Sequence, residues 1–186
     1  YLALLSAIAR LEAESTDGEL LFPDELHSEA PDIIENEKVL LYTRKQELLN
    51  NIEILKKQAF QKEQEVAELK VKMNGLRKSS VLLKKELSMN RPLLKSGAVS
   101  EVDILKMERL YEEKLSELNI TKITIPKAEA ALKESVKRIQ ALKFKFKTDA
   151  LTLLNDKRTR LEAIRDTATA EKDRVRRTQI ASPMDG

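Results

Sequence analysis

The sequence contains no cysteine, which excludes disulfides and thiolate metal sites. It has one histidine, His27, in a loop-like stretch, too little for a His-based metal or acid–base site. Tryptophan is absent and aromatics make up 4% of the chain, so base-stacking platforms are scarce. Four Gly and five Pro in 186 residues leave few turns, which favours a handful of long helices over a sheet protein. No Gly-rich phosphate loop, His-rich metal motif or nucleophile elbow occurs, so neither an enzyme nor a bound cofactor is expected. No apolar run approaches a membrane span, and no signal peptide is visible. The chain opens at Tyr1, already inside a helical pattern, and reads as an excised segment whose anchor would lie elsewhere.

Charge is what the sequence has in abundance. Charged residues reach 35%, yet 34 basic and 31 acidic residues nearly cancel to a net +3. That balance argues against a nucleic-acid partner. The densest basic cluster, "RVRR" at 174–177, reads as positive charge at a helix C-terminus. A hydrophobic content of 41% is too high for general disorder.

The charge overlies a helical period. In residues 1–14, "YLALLSAIARLEAE", Leu4, Ile8 and Leu11 share one face, and Gly18 just beyond marks a stop. Residues 15–30 read as a loop with Leu21 and Phe22 as candidate buried anchors. Pro31 with Asp32 and Glu35 begins a second helix. From Ile34 to Leu87 apolar residues follow an alternating four-three spacing for about eight heptads, interrupted by Lys38, Lys45, Lys62 and Ser80. Gly75 lies off that seam. Beyond 101 the same pattern returns: Ile104, Tyr111, Leu118, Ile125, Leu132, Ile139, Phe146 and Leu153 recur every seventh residue. Pro126 sits inside this run, where a kink or short break is expected.

Two seams in one chain predict an all-α fold, a long antiparallel coiled-coil hairpin. The outgoing arm is helix 31–91, the tip 92–100 and the return arm helix 101–177. One register sets Leu87 by Ile104, Met73 by Leu118 and Ile52 by Ile139. It also places small against large, Ser80 with Tyr111 and Leu41 with Ala150, and pairs Lys62 with Glu129. The return helix would span roughly 115 Å and the outgoing one roughly 90 Å. The first helix is therefore expected roughly in line with the second, facing Arg160, Ile164 and Thr167.

The tip, "RPLLKSGAVSEVDILKME" at 91–108, is unexpectedly apolar. Ser100 with Asp103 reads as a capping pair, and Gly97 supplies the turn conformation. Neither explains Leu93, Leu94, Ala98 and Val99, which the end of a two-helix hairpin cannot all bury. They form a candidate docking surface, with Arg91, Lys95 and Ser100 as its polar partners.

These residues resemble the hairpin tip of HlyD-type periplasmic adaptors, or membrane fusion proteins, of type I secretion systems. "AIARLEAE" and "ENEKVLLYTRKQEL" resemble the approach to that family's hairpin. "RTQIASPMDG" resembles the strand that re-enters its lipoyl-like domain, which places the start of such a strand at 178–186. The resemblance implies an inner-membrane-anchored periplasmic subunit, assembled as a ring of often six copies. It would join an ABC transporter to a TolC-like outer-membrane channel touched by the tips Arg91, Leu93, Leu94, Lys95, Gly97, Ala98, Val99 and Ser100. Many adaptors carry a tip motif of Arg, Leu four residues on, and Ser seven further. Leu93 and Ser100 fit it here, but Met89 stands at the Arg position, with Arg91 two residues away. Two other readings share the architecture: a small-molecule efflux adaptor, and an intracellular coiled-coil tether.

Overall fold

The computed structural model describes residues 1–178; Thr178, expected to start a strand, is helical, and the rest of the strand expected at 178–186 lies outside the described residues. The elements in order are α1 (Leu2–Thr16), α2 (Asp24–Glu29), α3 (Pro31–Asn90), a 3₁₀ helix (Arg91–Ser96) and α4 (Glu101–Thr178). There is no strand among the described residues, and the fold is a long α-helical hairpin. It divides into two compact units. Tyr1–Ile52 and the chain from Gln140 onward form one, and Glu53–Ile139 the other.

In the first unit, α1 lies beside α3 rather than in line with it. Arg10 reaches Glu37 and Glu14 faces Arg44, so the two helices run side by side in the same direction. The same helix runs against α4 in the opposite direction: Tyr1 meets Arg165, Glu12 meets Arg158, and Asp17 meets Lys147. Its partner segment is thus 147–165, whereas Arg160 turns to Asp156 of its own helix and Ile164 is exposed. The physical reason is the residue set of α1. Ser6, Ala7, Ala9 and Ala13 are all buried, and side chains this small let a helix fit close against two neighbours. Leu11 joins Ala150 and Leu154 in the core cluster, with Ile8 against it.

The connection after α1 also departs from expectation. The left-handed residue that ends α1 is Asp17 (φ 56°), one position before Gly18. Asp tolerates this conformation better than most residues. The loop contains α2, whose Leu26 is fully buried and is the segment's anchor. Leu21, expected to be buried, is 74% exposed, and Phe22 is half-buried with its ring edge-on to His27.

In the second unit the α3 seam is the predicted one, but on α4 Thr121 and Ala128 take buried positions outside the predicted series while Val136 is 45% exposed, and the pairing is shifted. Ala59, Val66, Ser80 and Leu87 of α3 are buried, as are Ile104, Leu118, Thr121, Ile125 and Ala128 of α4. Across the seam Lys70 bonds Glu129 at 2.7 Å, Arg91 bonds Glu108 at 2.6 Å, and the Asn90 amide reaches the Met107 sulfur. These pairs put the frame about one heptad from the predicted one. Lys62 accordingly pairs with Glu65 in its own helix and not with Glu129. A heptad slip preserves an apolar seam, so the flanking charges decide between the two frames. In the first unit, Arg44 over Phe146 (5.6 Å to the ring centroid) matches the predicted alignment within one residue.

Pro126 does not break α4, which is helical throughout. Nearby Thr121 and Thr124 donate their hydroxyls to the carbonyls of Glu117 and Ile120, four residues back. Gly75 is also inside an unbroken helix, and a Cβ there would meet nothing within 4 Å.

Candidate docking tip and base network

The turn between α3 and α4 is built by backbone bonds. Pro92 sits in the first turn of the 3₁₀ helix, where its missing N–H is not needed. Gly97 closes the helix at φ 72°. Its N–H donates to the Leu94 carbonyl (3.1 Å) and the Ala98 N–H to the Leu93 carbonyl (3.3 Å), the double bond of a Schellman motif. Ser100 then starts α4: its Oγ accepts from the Val102 N–H at 3.1 Å. Asp103 is not the reciprocal arm of a capping box, because its carboxylate pairs with Lys106.

No residue of the 3₁₀ helix is buried. Leu93 is 42% exposed and Ala98 is exposed, whereas Leu94 and Val99 are half-buried. Lys95, Gly97 and Ser100 are exposed. Arg91 is exposed but engaged, because its guanidinium is held by Glu108 across the hairpin. Among the described residues, Lys95 is the turn's one cation free of an ion pair, and it stands beside an apolar surface. Sequence reasoning missed the neighbours that widen this surface. Met89, Val102 and Leu105 are each more than half exposed. Their signal was available: they lie off the seam in helices whose seam was already identified.

The sides of this unit carry complementary charge. Residues 69–85 of α3 hold six basic side chains and no acid. Arg77, Lys78, Lys84 and Lys85 among them are exposed beside Val81 and Leu82. Residues 101–117 of α4 hold six acids against three bases.

The base unit holds a feature the sequence reading did not anticipate. Arg10 donates to Glu37 (2.5 Å) and to Glu14 Oε1 (2.6 Å). The other oxygen of Glu14 has Arg44 Nε 3.4 Å away as its ionic partner and takes no hydrogen bond. Arg44 in turn lies over Phe146. Charges thus alternate, Glu37–Arg10–Glu14–Arg44, between the two helices α1 and α3. Glu14 is fully buried and Arg10 is 7% exposed. Burial disfavours the Arg10 cation, but the hydrogen bonds it donates to Glu37 and Glu14 outweigh it and raise the pKa above the ordinary arginine value. The sequence signal was an Arg and a Glu four residues apart among alanines, which reads equally well as a solvated pair.

Among the described residues no group of three metal-ligating side chains occurs, and no helix is long and apolar enough to cross a membrane. The geometry is that of a helical hairpin with a built, exposed, apolar turn and an ancillary helix at its base. The family model of the AprE long alpha-helical hairpin matches residues 1–174, and the chain belongs to that family. Among solved structures it is similar to the soluble domain of LipC, a membrane fusion protein of a type I secretion system. The TM-score is 0.85 at 20% identity, over 100% of this chain and 90% of that one. The fold is thus that of a type I secretion membrane fusion protein. No curated protein sequence matches this one.

Proposed function

We propose that the protein is the periplasmic adaptor of a type I secretion system. It would link an inner-membrane ABC transporter to a TolC-like outer-membrane channel for protein export. Its role is structural: it holds a conduit and catalyses nothing. The observation that carries this reading is the tip. A turn fixed by a Schellman motif and a serine cap displays Leu93 and Ala98 to solvent, with Met89, Val102 and Leu105 beside them. Apolar side chains concentrated at an ordered turn favour a partner surface over a merely solvated loop. Leu93, Leu94, Ala98 and Val99 would bury apolar area against the channel, Lys95 and Ser100 would make polar contacts, and Gly97 would hold the turn. Arg91 contributes by staying with Glu108, which fixes the tip's entry from α3.

A ring of copies, six in the simplest case, accounts for the side charges. The basic stretch 69–85 of one copy complements the acidic stretch 101–117 of the next. Each exposed ionic contact is worth little, so the ring draws on many at once. The subunit would sit in the periplasm, attached to the inner membrane through a segment outside residues 1–186.

The test is secretion in cells that depend on this adaptor. Leu93→Asp with Ala98→Asp should stop export and co-purification with the channel while far-UV circular dichroism stays unchanged. Unimpaired export with both substitutions in place overturns the docking role.

A further inference from the structure

The base unit carries a second device, independent of the tip. Of the seven buried residues of α1, only Leu11 is large and apolar; the others are Ser6, Ala7, Ala9, Ala13, Arg10 and Glu14. Its apolar attachment is accordingly narrow, Leu11 with Ile8 against Ala150 and Leu154. What remains is ionic. The alternating chain Glu37–Arg10–Glu14–Arg44 joins α1 to α3, and Arg44 continues it onto Phe146 of α4. The other links, Glu12–Arg158, Asp17–Lys147 and Tyr1–Arg165, involve exposed side chains in water. Buried charges held by partners are unforgiving: removing one partner strands the others without solvent. A helix attached by Leu11, Ile8, three buried alanines and a buried charge chain carries little apolar area, which suits it to leave as a unit.

We propose that α1 is a releasable strap, locked onto the base of the hairpin by the Glu37–Arg10–Glu14–Arg44 chain, and that it detaches while α3 and α4 stay paired. The strap confers two states on the base, closed with α1 seated and open with the α3 and α4 faces uncovered. It confers no such choice on the tip.

Amide hydrogen exchange of the whole chain tests this. In the unmodified protein, amides of residues 6–14 should exchange faster than the buried-seam amides of residues 34–52 and 140–161. Glu14→Gln should speed exchange in α1 by at least about a hundredfold and leave those segments of α3 and α4 within about twofold. Arg44→Met, which leaves the Arg10–Glu14 bond in place, should give a smaller rise confined to α1. Glu12→Gln, which removes only the exposed pair with Arg158, should change α1 exchange by less than about fivefold. Equal acceleration of α1, α3 and α4 in Glu14→Gln overturns the strap, since α1 would then belong to one cooperative unit. Unchanged α1 exchange in both Glu14→Gln and Arg44→Met overturns the lock.

Discussion

Adding the same methyl group at two glycines should move stability in opposite directions. Gly97 and Gly75 each have open space where a Cβ would stand, with nothing within 4 Å. Neither substitution to alanine meets a clash, so the backbone alone decides the sign. At Gly97 the φ of 72° lies in the left-handed region, where an alanine Cβ crowds the following carbonyl at a cost of about 1–2 kcal/mol. The two turn bonds, from Gly97 and Ala98 to Leu94 and Leu93, require that conformation and prevent relief by rotation. At Gly75 the backbone is helical, and alanine removes unfolded-state freedom worth roughly 0.5–1 kcal/mol. Gly97→Ala should therefore destabilise and Gly75→Ala stabilise, a separation of about 1.5–3 kcal/mol. Urea denaturation followed at 222 nm measures both, with equal slopes and shifted midpoints expected. Two shifts of the same sign would refute the assignment of Gly97 as the turn's conformational pivot. Gly97→Ala should also weaken channel engagement, because it tilts Ala98 and Val99.

Other consequences can be measured with the same protein. Leu11→Ala should cost roughly 2–4 kcal/mol, seen as faster amide hydrogen exchange in α1, and a loss below about 0.5 kcal/mol would deny Leu11 its place in the core cluster. Ser100→Ala should cost about 1 kcal/mol in denaturant through the lost Val102 bond, and Ser100→Asp should restore most of it. The raised pKa of Arg10 means its contribution is complete below the unfolded arginine value and is lost only as pH rises beyond it. Arg10→Met should therefore lower stability by the same amount at pH 6 and pH 9, and a loss that differs between them would point to another titrating partner.

The hairpin was legible because a seam of seven-residue period repeats in both arms and so few turn residues interrupt it. The tip was legible for a related reason: Pro92, Gly97 and Ser100 fall in the order a turn needs, and the apolar residues between them have no seam to join. Register was harder. Every heptad offset buries the same leucines, and the ion pairs of Lys70 and Arg91 that separate the offsets are flank contacts with many possible partners. The seating of α1 was hidden by a different ambiguity. Arg10 and Glu14 look solvated on a helical wheel, and only the approach of α3 shows them to be interior. The anchor Leu26 was overlooked for Leu21 and Phe22 because the short helix α2 is too brief to show a period.

The central claim is that the tip meets an outer-membrane channel, and the absence of cysteine makes it directly measurable. A single cysteine would replace exposed Ala98 in the full-length protein, in cells whose TolC-like channel carries cysteines at its periplasmic tips. A second strain would carry it instead at Val71, which is 72% exposed. The account predicts a disulfide-linked adaptor–channel species with Ala98→Cys and none with Val71→Cys. Equal crosslinking at both positions, or none at Ala98 in cells that export normally, would contradict it.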